Sequence, residues 1–224
     1  MTKAVVALSG GIDSATTMVW LLRNGYDVIP VRFIYGSKHN QYELRAAWRI
    51  ANYFGFTPID IDLTQVMSNF QSNLLQGGGD IPEGHYTDST MSQTVVPARN
   101  IIFLSILAGL AGSYSASTIA LGIHQGDHAI YADCRTEFYK AMDTAIFLGT
   151  DKQVQIKAPF VEHDKTAIIE WGLEYGVPYG LTRTCYKDHE VACGKCGACV
   201  ERLLAFNELG VVDPIIYEEK DHEV

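Results

Sequence analysis

The chain opens on a β-branched run, Lys3–Leu8, that passes through Ser9-Gly10-Gly11-Ile12-Asp13-Ser14 into a helical pattern. Ala15, Met18, Val19 and Leu22 carry that pattern until Asn24-Gly25 stops it. The next segment repeats the unit. Asp27–Tyr35 reads as a second strand, with Pro30 an objection if that strand is central. Gln41–Phe54 is helical again, and Thr57–Asp62 is a third strand. Strand–helix–strand–helix–strand is the signature of a parallel sheet with right-handed crossovers.

The second half continues the alternation with longer insertions. Gln76–Val96 is polar and glycine-rich and is expected to be a mobile loop over a site. Arg99–Ser113 reads as a helix, Thr118–Leu121 as a strand, Arg135–Phe147 as a helix, and Gln153–Ala158 as a short strand ending at Pro159. Asp164 is placed to cap a helix over Lys165–Tyr175. After Gly176 the pattern breaks into a cysteine cluster before a last helix near Ala198–Glu208. The predicted class is α/β, a Rossmann-like parallel sheet with helices on both faces and a small C-terminal metal-binding helical tail. The 224 residues divide at about 150 per domain into one good-sized domain over 1–180 and a segment over 181–224 packed on it.

The glycine loop is a device for holding phosphate. Glycines let the backbone turn sharply and approach an anion, Ser9 and Ser14 add hydroxyl donors, and the helix start adds free N–H groups and its dipole. The alternative is an ordinary strand–helix turn in which Asp13 merely caps the helix. The Walker pattern and the Rossmann G-x-G-x-x-G are both absent. The S-G-G-x-D-S string resembles instead the PP-loop of ATP pyrophosphatases, which cleave ATP between its α and β phosphates and adenylate an oxygen.

Four of the five cysteines stand at Cys185, Cys193, Cys196 and Cys199. Four thiolates suit tetrahedral zinc, Gly194 and Gly197 let the chain wrap the metal, and a site filled by sulfur is structural. An iron–sulfur cluster would also use four cysteines, and a redox C-x-x-C would use two and leave the others unexplained. Cys134 reads as a small buried hydrophobe. No small-residue cleavage site follows Met1-Thr2-Lys3, and Ile101–Leu110 is too short to span a bilayer, so the expected location is the cytoplasm. A net charge of −9 argues against a protein held to nucleic acid by a general basic surface.

The loop at one end and the four-cysteine knot at the other are similar to the QueC-type 7-cyano-7-deazaguanine synthases of queuosine biosynthesis. Four further blocks carry the resemblance. Val96-Pro97-Ala98-Arg99-Asn100-Ile101-Ile102-Phe103-Leu104-Ser105 is similar to V-P-x-R-N-x-x-F-L-S. Tyr131-Ala132-Asp133-Cys134-Arg135-Thr136-Glu137-Phe138 is similar to Y-P-D-C-R-x-E-F, with Ala132 where proline is usual. Tyr35-Gly36-Ser37-Lys38-His39 departs from Y-G-Q-R-H at Ser37 and Lys38. Leu181–Tyr186 matches the family's approach to the zinc site.

The resemblance implies a ligase of the PP-loop, adenine nucleotide alpha hydrolase-like fold. Its substrates would be 7-carboxy-7-deazaguanine, ammonia and ATP, with Mg²⁺ and Zn²⁺ as metals and a homodimer as the assembly. The carboxylate is adenylated, ammonia displaces AMP, the amide oxygen is adenylated in turn, and loss of AMP leaves the nitrile. Leu8, Ser9, Gly10, Gly11, Ile12, Asp13 and Ser14 would hold the pyrophosphate, with Asp13 helping to position magnesium. Lys165 sits where the superfamily carries a phosphate-contacting lysine; the plainer reading is a solvated surface lysine. Arg99 would fork onto a carboxylate or phosphate beside Asn100, making Asp13, Lys165 and Arg99 the catalytic set. Asp133, Arg135 and Glu137 would line the deazapurine pocket, or else form a solvated helix start capped by Asp133. The adenine would rest around Arg32–Tyr35, by analogy of fold alone.

His39, His124 and His128 read as loop histidines before catalysts, and Trp20, Trp48 and Trp171 as core. Three rivals remain: the same chemistry stopping at the amide, another PP-loop enzyme such as a tRNA thiolase, and a zinc-ribbon module without catalysis. No amidotransferase domain or glutamine-hydrolysing triad is evident, so free ammonia is the expected nitrogen source, with no nucleic acid or membrane as partner.

Overall fold

The computed structural model describes residues 1–84 and 89–218. In chain order the regular elements are β1 (Lys3–Ala7), α1 (Ile12–Arg23), β2 (Asp27–Ile34), α2 (Asn40–Tyr53), β3 (Ile59–Asp62), α3 (Thr64–Met67), α4 (Arg99–Tyr114), β4 (Thr118–Ala120), α5 (Thr136–Gly149), β5 (Gln155–Lys157), α6 (Lys165–Tyr175) and α7 (Gly197–Glu208). The five strands form one sheet in the order β3-β2-β1-β4-β5, and every pair is parallel. The chain winds outward from β1 in one direction and then, from β4, in the other. A crevice therefore opens above the carboxyl ends of β1 and β4, where such sheets bind ligands.

Alternation along β1 shows why helices cover both faces. Val5 and Ala7 join Val31, Phe33, Ile119 and Leu121 in a core completed by Phe103, Leu104 and Leu107 of α4. Ala4, Val6 and Leu8 look the other way, onto Ala15 and Met18 of α1, Ile50 of α2 and Ile168 of α6. A strand buried on both faces needs a continuous apolar run, which is what Lys3–Leu8 supplies. Pro30 sits in the interior strand β2 without breaking the ladder. The Val31 carbonyl accepts from Leu8 N–H at 2.8 Å, so its polar edge faces β1. Pro30 therefore faces the other neighbour, and β3 begins pairing only at Val31↔Ile59.

The stretch Thr90–Tyr114 is long and apolar enough, by length and composition alone, to cross a membrane. It is not one continuous α-helix. Ala98 adopts the left-handed conformation (φ 54°) and α4 proper has 16 residues, about 24 Å, with its apolar side on the sheet. Within the expected loop Gln76–Val96, residues 85–88 lie outside the described residues, and Ser89–Thr94 form a 3₁₀ turn that buries Met91 and Thr94. Trp48 corrects the sequence reading: it is 49% exposed, because Ala46 and Ala47 carry the buried face of α2. Trp20 and Trp171 do pack, partly buried, against the α1–α6 side.

Past α6 the chain crosses back over the loop end. Arg202 of α7 is fully buried and uses all five N–H groups: on Asp213 (2.7 and 2.8 Å), Thr182 (2.7 Å), Thr184 (3.0 Å) and the Tyr179 carbonyl (3.2 Å). Tyr217 Oη adds a bond to Asp213 at 2.6 Å. A buried guanidinium needs complete pairing to be tolerated, and here that requirement fixes the tail against the main body.

Candidate functional site

A cleft lies in the crevice, open on one side. Its first end is built by the glycine loop. Gly10 takes φ +93°, and a Cβ there would fall 2.7 Å from the Ala47 nitrogen, so only glycine lets α2 close on the loop. Gly11 then caps α1 with no side-chain bond to the first turn, leaving those N–H groups to an outside acceptor. Ser9 and Ser14 hydroxyls meet at 3.0 Å across the turn. Gly10 faces α2, while Leu8, Ser9, Gly11, Ile12, Asp13 and Ser14 border the cavity.

Asp13 is inside α1, not at its cap. Both its oxygens accept from Lys165 Nζ at 2.8 Å. The lysine comes from the first turn of α6, where Asp164 accepts from Ala167 N–H at 2.8 Å. Lys165 is 6% exposed, which removes the solvated-lysine reading. Burial acts to raise the Asp13 pKa, but Lys165 and His124 outweigh it and hold the carboxyl below its ordinary value. Burial likewise works against the Lys165 ammonium, and Asp13, Glu201 and Asp127 together push its pKa well up.

Two acidic groups and a histidine complete this end. Glu201 Oε2 lies 3.3 Å from Lys165 Nζ. His124, 1% exposed, turns Nε2 toward Asp127 (3.4 Å), Asp13 (3.9 Å) and Glu201 (3.9 Å). Its Nδ1 accepts the Gly126 N–H at 3.0 Å. Gly122, at the end of β4, permits the approach, since a Cβ would meet the Asp13 backbone at 2.7 Å.

The other end is aromatic. Phe33 and Phe103 stack at 3.9 Å, with Tyr35 edge-on to Phe103 at 5.7 Å. Tyr131 and Tyr186 stand nearby, with His39 and Glu43 paired at 3.3 Å. Arg99 enters this end straight from the strained Ala98 turn, and its neighbours are Tyr35, Cys134, Tyr186 and Tyr131. Among the described residues no carboxylate pairs with it. Burial and Glu43 push the Tyr35 phenol up to about 12, against the opposing pull of the Arg99 cation. A half-buried guanidinium among phenols and a thiol, with no carboxylate partner among the described residues, can receive an anion.

Asn100 also borders the cavity, and Arg32, Phe33 and Tyr35 line it at the end of β2. Asp133, Arg135 and Glu137, expected to contact the deazapurine, are not among the residues that line it. Asp133 Oδ2 accepts the Asn100 N–H at 2.9 Å, so it serves the start of α4; α5 has no side-chain cap. Arg135 Nε is bound to the His128 carbonyl at 2.9 Å, and Glu137 is exposed. Cys134 is 2% exposed, in keeping with its reading as a buried hydrophobe. Glu201, Asp127, Glu43 and Arg183 escaped the sequence reading. Arg183 ties loop to tail, donating its backbone N–H to the Gly10 carbonyl at 2.8 Å and stacking over Tyr42 at 4.6 Å.

The four clustered cysteines place their Sγ atoms within 4.8 Å of one another, and all are free thiols. A zinc ion bonded at 2.3 Å puts its sulfurs about 3.8 Å apart; Cys193 and Cys199 stand at 4.0 Å. Backbone N–H groups of Lys187 and Cys193 point at Cys185 Sγ (3.4 Å each), and those of Lys195 and Cys196 at Cys193 Sγ (3.4 and 3.3 Å). Such donors favour thiolates. Gly194 supplies the left-handed turn (φ +68°). The set fits a single tetrahedral ion and is too tight to surround a multi-iron core.

The family described as queuosine biosynthesis protein QueC matches residues 3–210. A 7-cyano-7-deazaguanine synthase of Caldicellulosiruptor bescii is 44% identical over 216 residues, covering 96% of this chain and 97% of that one. One from Archaeoglobus fulgidus is 40% identical over 219 residues, covering 97% and 91%. Among solved structures, a predicted subunit of tRNA methyltransferase from Methanocaldococcus jannaschii superposes with a TM-score of 0.52 at 16% identity, over 99% of this chain and 94% of that one. That likeness shows the fold alone.

Proposed function

The chain belongs to the QueC family, and from that membership we propose that it is an ATP-dependent carbon–nitrogen ligase making 7-cyano-7-deazaguanine from 7-carboxy-7-deazaguanine and ammonia. The observation that carries the reading is the two-ended cavity: a glycine loop with its lysine at one end, and at the other a guanidinium without a carboxylate partner among the described residues. A carboxylate is a poor electrophile, so it must first be activated. The acid would lie with its carboxylate on Arg99 and Asn100, within reach of an α-phosphate held along the loop. Loop N–H groups, Ser9 and Ser14 would take the charge that develops on the departing pyrophosphate, and Lys165 would share it. Magnesium, when bound with ATP, would neutralise phosphate charge, with Asp13 as the nearest loop carboxylate.

Ammonia then displaces AMP to give the amide, and a second adenylation at the amide oxygen followed by loss of AMP gives the nitrile. Two ATP are split per nitrile, and the two oxygens of the acid leave on the two AMP. A structural zinc at Cys185, Cys193, Cys196 and Cys199 would anchor the segment from 181 on to the nucleotide domain of 1–180. The reading puts the enzyme in the cytoplasm, using free ammonia and small molecules alone, as a homodimer. The direct test incubates the protein with acid, ammonium and ATP and weighs the product. The nitrile with two AMP is expected; an amide that persists in fresh ATP would contradict it. Metal analysis should return one zinc per chain, and iron or no metal would overturn that assignment.

A further inference from the structure

Glu201 belongs to the part of the chain that the proposed chemistry uses only as an anchor. It stands in the first turns of α7, two residues past Cys199, yet its carboxylate reaches the phosphate end of the cavity. Lys165 therefore sits between Asp13 at 2.8 Å and Glu201 at 3.3 Å, partners from opposite ends of the sequence. One carboxylate would neutralise the ammonium; the second needs another reason. Its place is closely defined. Because His124 Nδ1 accepts from Gly126, the neutral ring carries its hydrogen on Nε2, the nitrogen that faces Asp127, Asp13 and Glu201. From behind, Gly126 leaves just enough room: a Cβ there would lie 2.5 Å from Glu201 Oε1. From below, the start of α7 is held by Cys196, Cys199 and the saturated Arg202.

We infer that Glu201 is a positioning residue for the adenylation chemistry, delivered to the site by the metal-anchored tail, a role that rests on the ligase reading proposed for this cavity. When ATP binds, the Asp13–Lys165 pair must open for both groups to serve the phosphates. A lysine with one partner would follow Asp13 or swing out of the crevice. Glu201 gives the ammonium a fixed second anchor, so Nζ stays at the mouth of the loop while Asp13 turns. The cysteine cluster and the glycine loop are then one functional unit.

Glu201→Gln tests this, since it keeps the shape of the side chain and removes the charge. In ATP–pyrophosphate exchange driven by the acid, kcat should fall at least tenfold. The KM for the acid, the metal content per chain and the melting temperature should stay at wild-type values. Wild-type exchange by the variant would overturn the inference, and so would loss of activity that tracks loss of metal. Gly126→Ala gives a second approach, crowding the same carboxylate, and the His124 ring behind it, from the opposite loop without changing a residue of the tail. It should also lower kcat, and the double variant should be no slower than Glu201→Gln alone; fully additive losses would contradict a shared route. Absence of exchange in the wild-type protein would overturn the functional reading itself, whereas an active wild type with an unaffected Glu201→Gln overturns only this inference.

Discussion

The two ends of the cavity solve opposite problems. At the loop end the polar side chains are already partnered: Lys165 with Asp13 and Glu201, and the His124 ring with Asp127. At the aromatic end Arg99 has no carboxylate among the described residues and is ringed by Tyr35, Tyr131 and Tyr186. The first arrangement is internally paired and, in the proposed chemistry, opens as ATP binds, before reaction; the second is incomplete and lacks a counter-charge until an anion binds. An electrostatic site that is arranged before reaction avoids reorganising at the transition state. A cation half-withdrawn from water without a counter-charge costs stability until an anion arrives, an arrangement suited to recognition.

The contrast can be broken most sharply at Lys165. Lys165→Ala leaves Asp13, Glu201 and Asp127 facing one another without their cation. Adenylation measured by pyrophosphate release should drop about 10³-fold, about 4 kcal/mol. A loss confined to KM for the acid would mean that the two ends are not divided as described. Arg99→Lys comes next. It keeps the charge and loses the planar fork, so the KM for the acid should rise roughly thirtyfold, about 2 kcal/mol, while kcat changes little. A pure kcat effect would move Arg99 into the phosphate chemistry.

The smaller effects concern residues around the aromatic end. Asp133→Ala removes the acceptor for the Asn100 N–H at the start of α4. The expected cost is about 1 kcal/mol of stability, read as a fall of roughly 2–4 °C in melting temperature. The KM for the acid should rise only modestly, because the loss reaches the substrate through Arg99. Glu137→Ala, on an exposed position away from the cavity, should change neither kinetics nor stability beyond about 0.5 kcal/mol. A marked rise in KM there would restore Glu137 to the substrate pocket.

The geometry of the glycine loop was legible in the sequence because strand, glycines, hydroxyls and helix start lie within a dozen residues. Element boundaries read to within two residues or so, since alternation and capping are local signals; Asp164 ahead of Lys165 is the clearest case. Residues brought in by tertiary closure were not legible. Glu201 follows the last cysteine closely, and its neighbours made the whole segment look like metal wrapping. His124 read as one more loop histidine, with nothing local to show that β4 ends against Asp13. Asp133 failed in the other direction: sequence shows that a carboxylate opens a turn but not which helix it serves. Trp48 shows the same limit, as periodicity sets a face while small neighbours decide which face is buried.

The division of the cavity is tested most directly by a crystal structure with the acid substrate and a non-hydrolysable ATP analogue bound together. The triphosphate is expected along Ser9–Ser14 with Lys165 Nζ turned toward it, and the substrate carboxylate on the Arg99 guanidinium. Phosphate on Arg99, or the deazapurine resting against Asp133 and Glu137, would contradict that division.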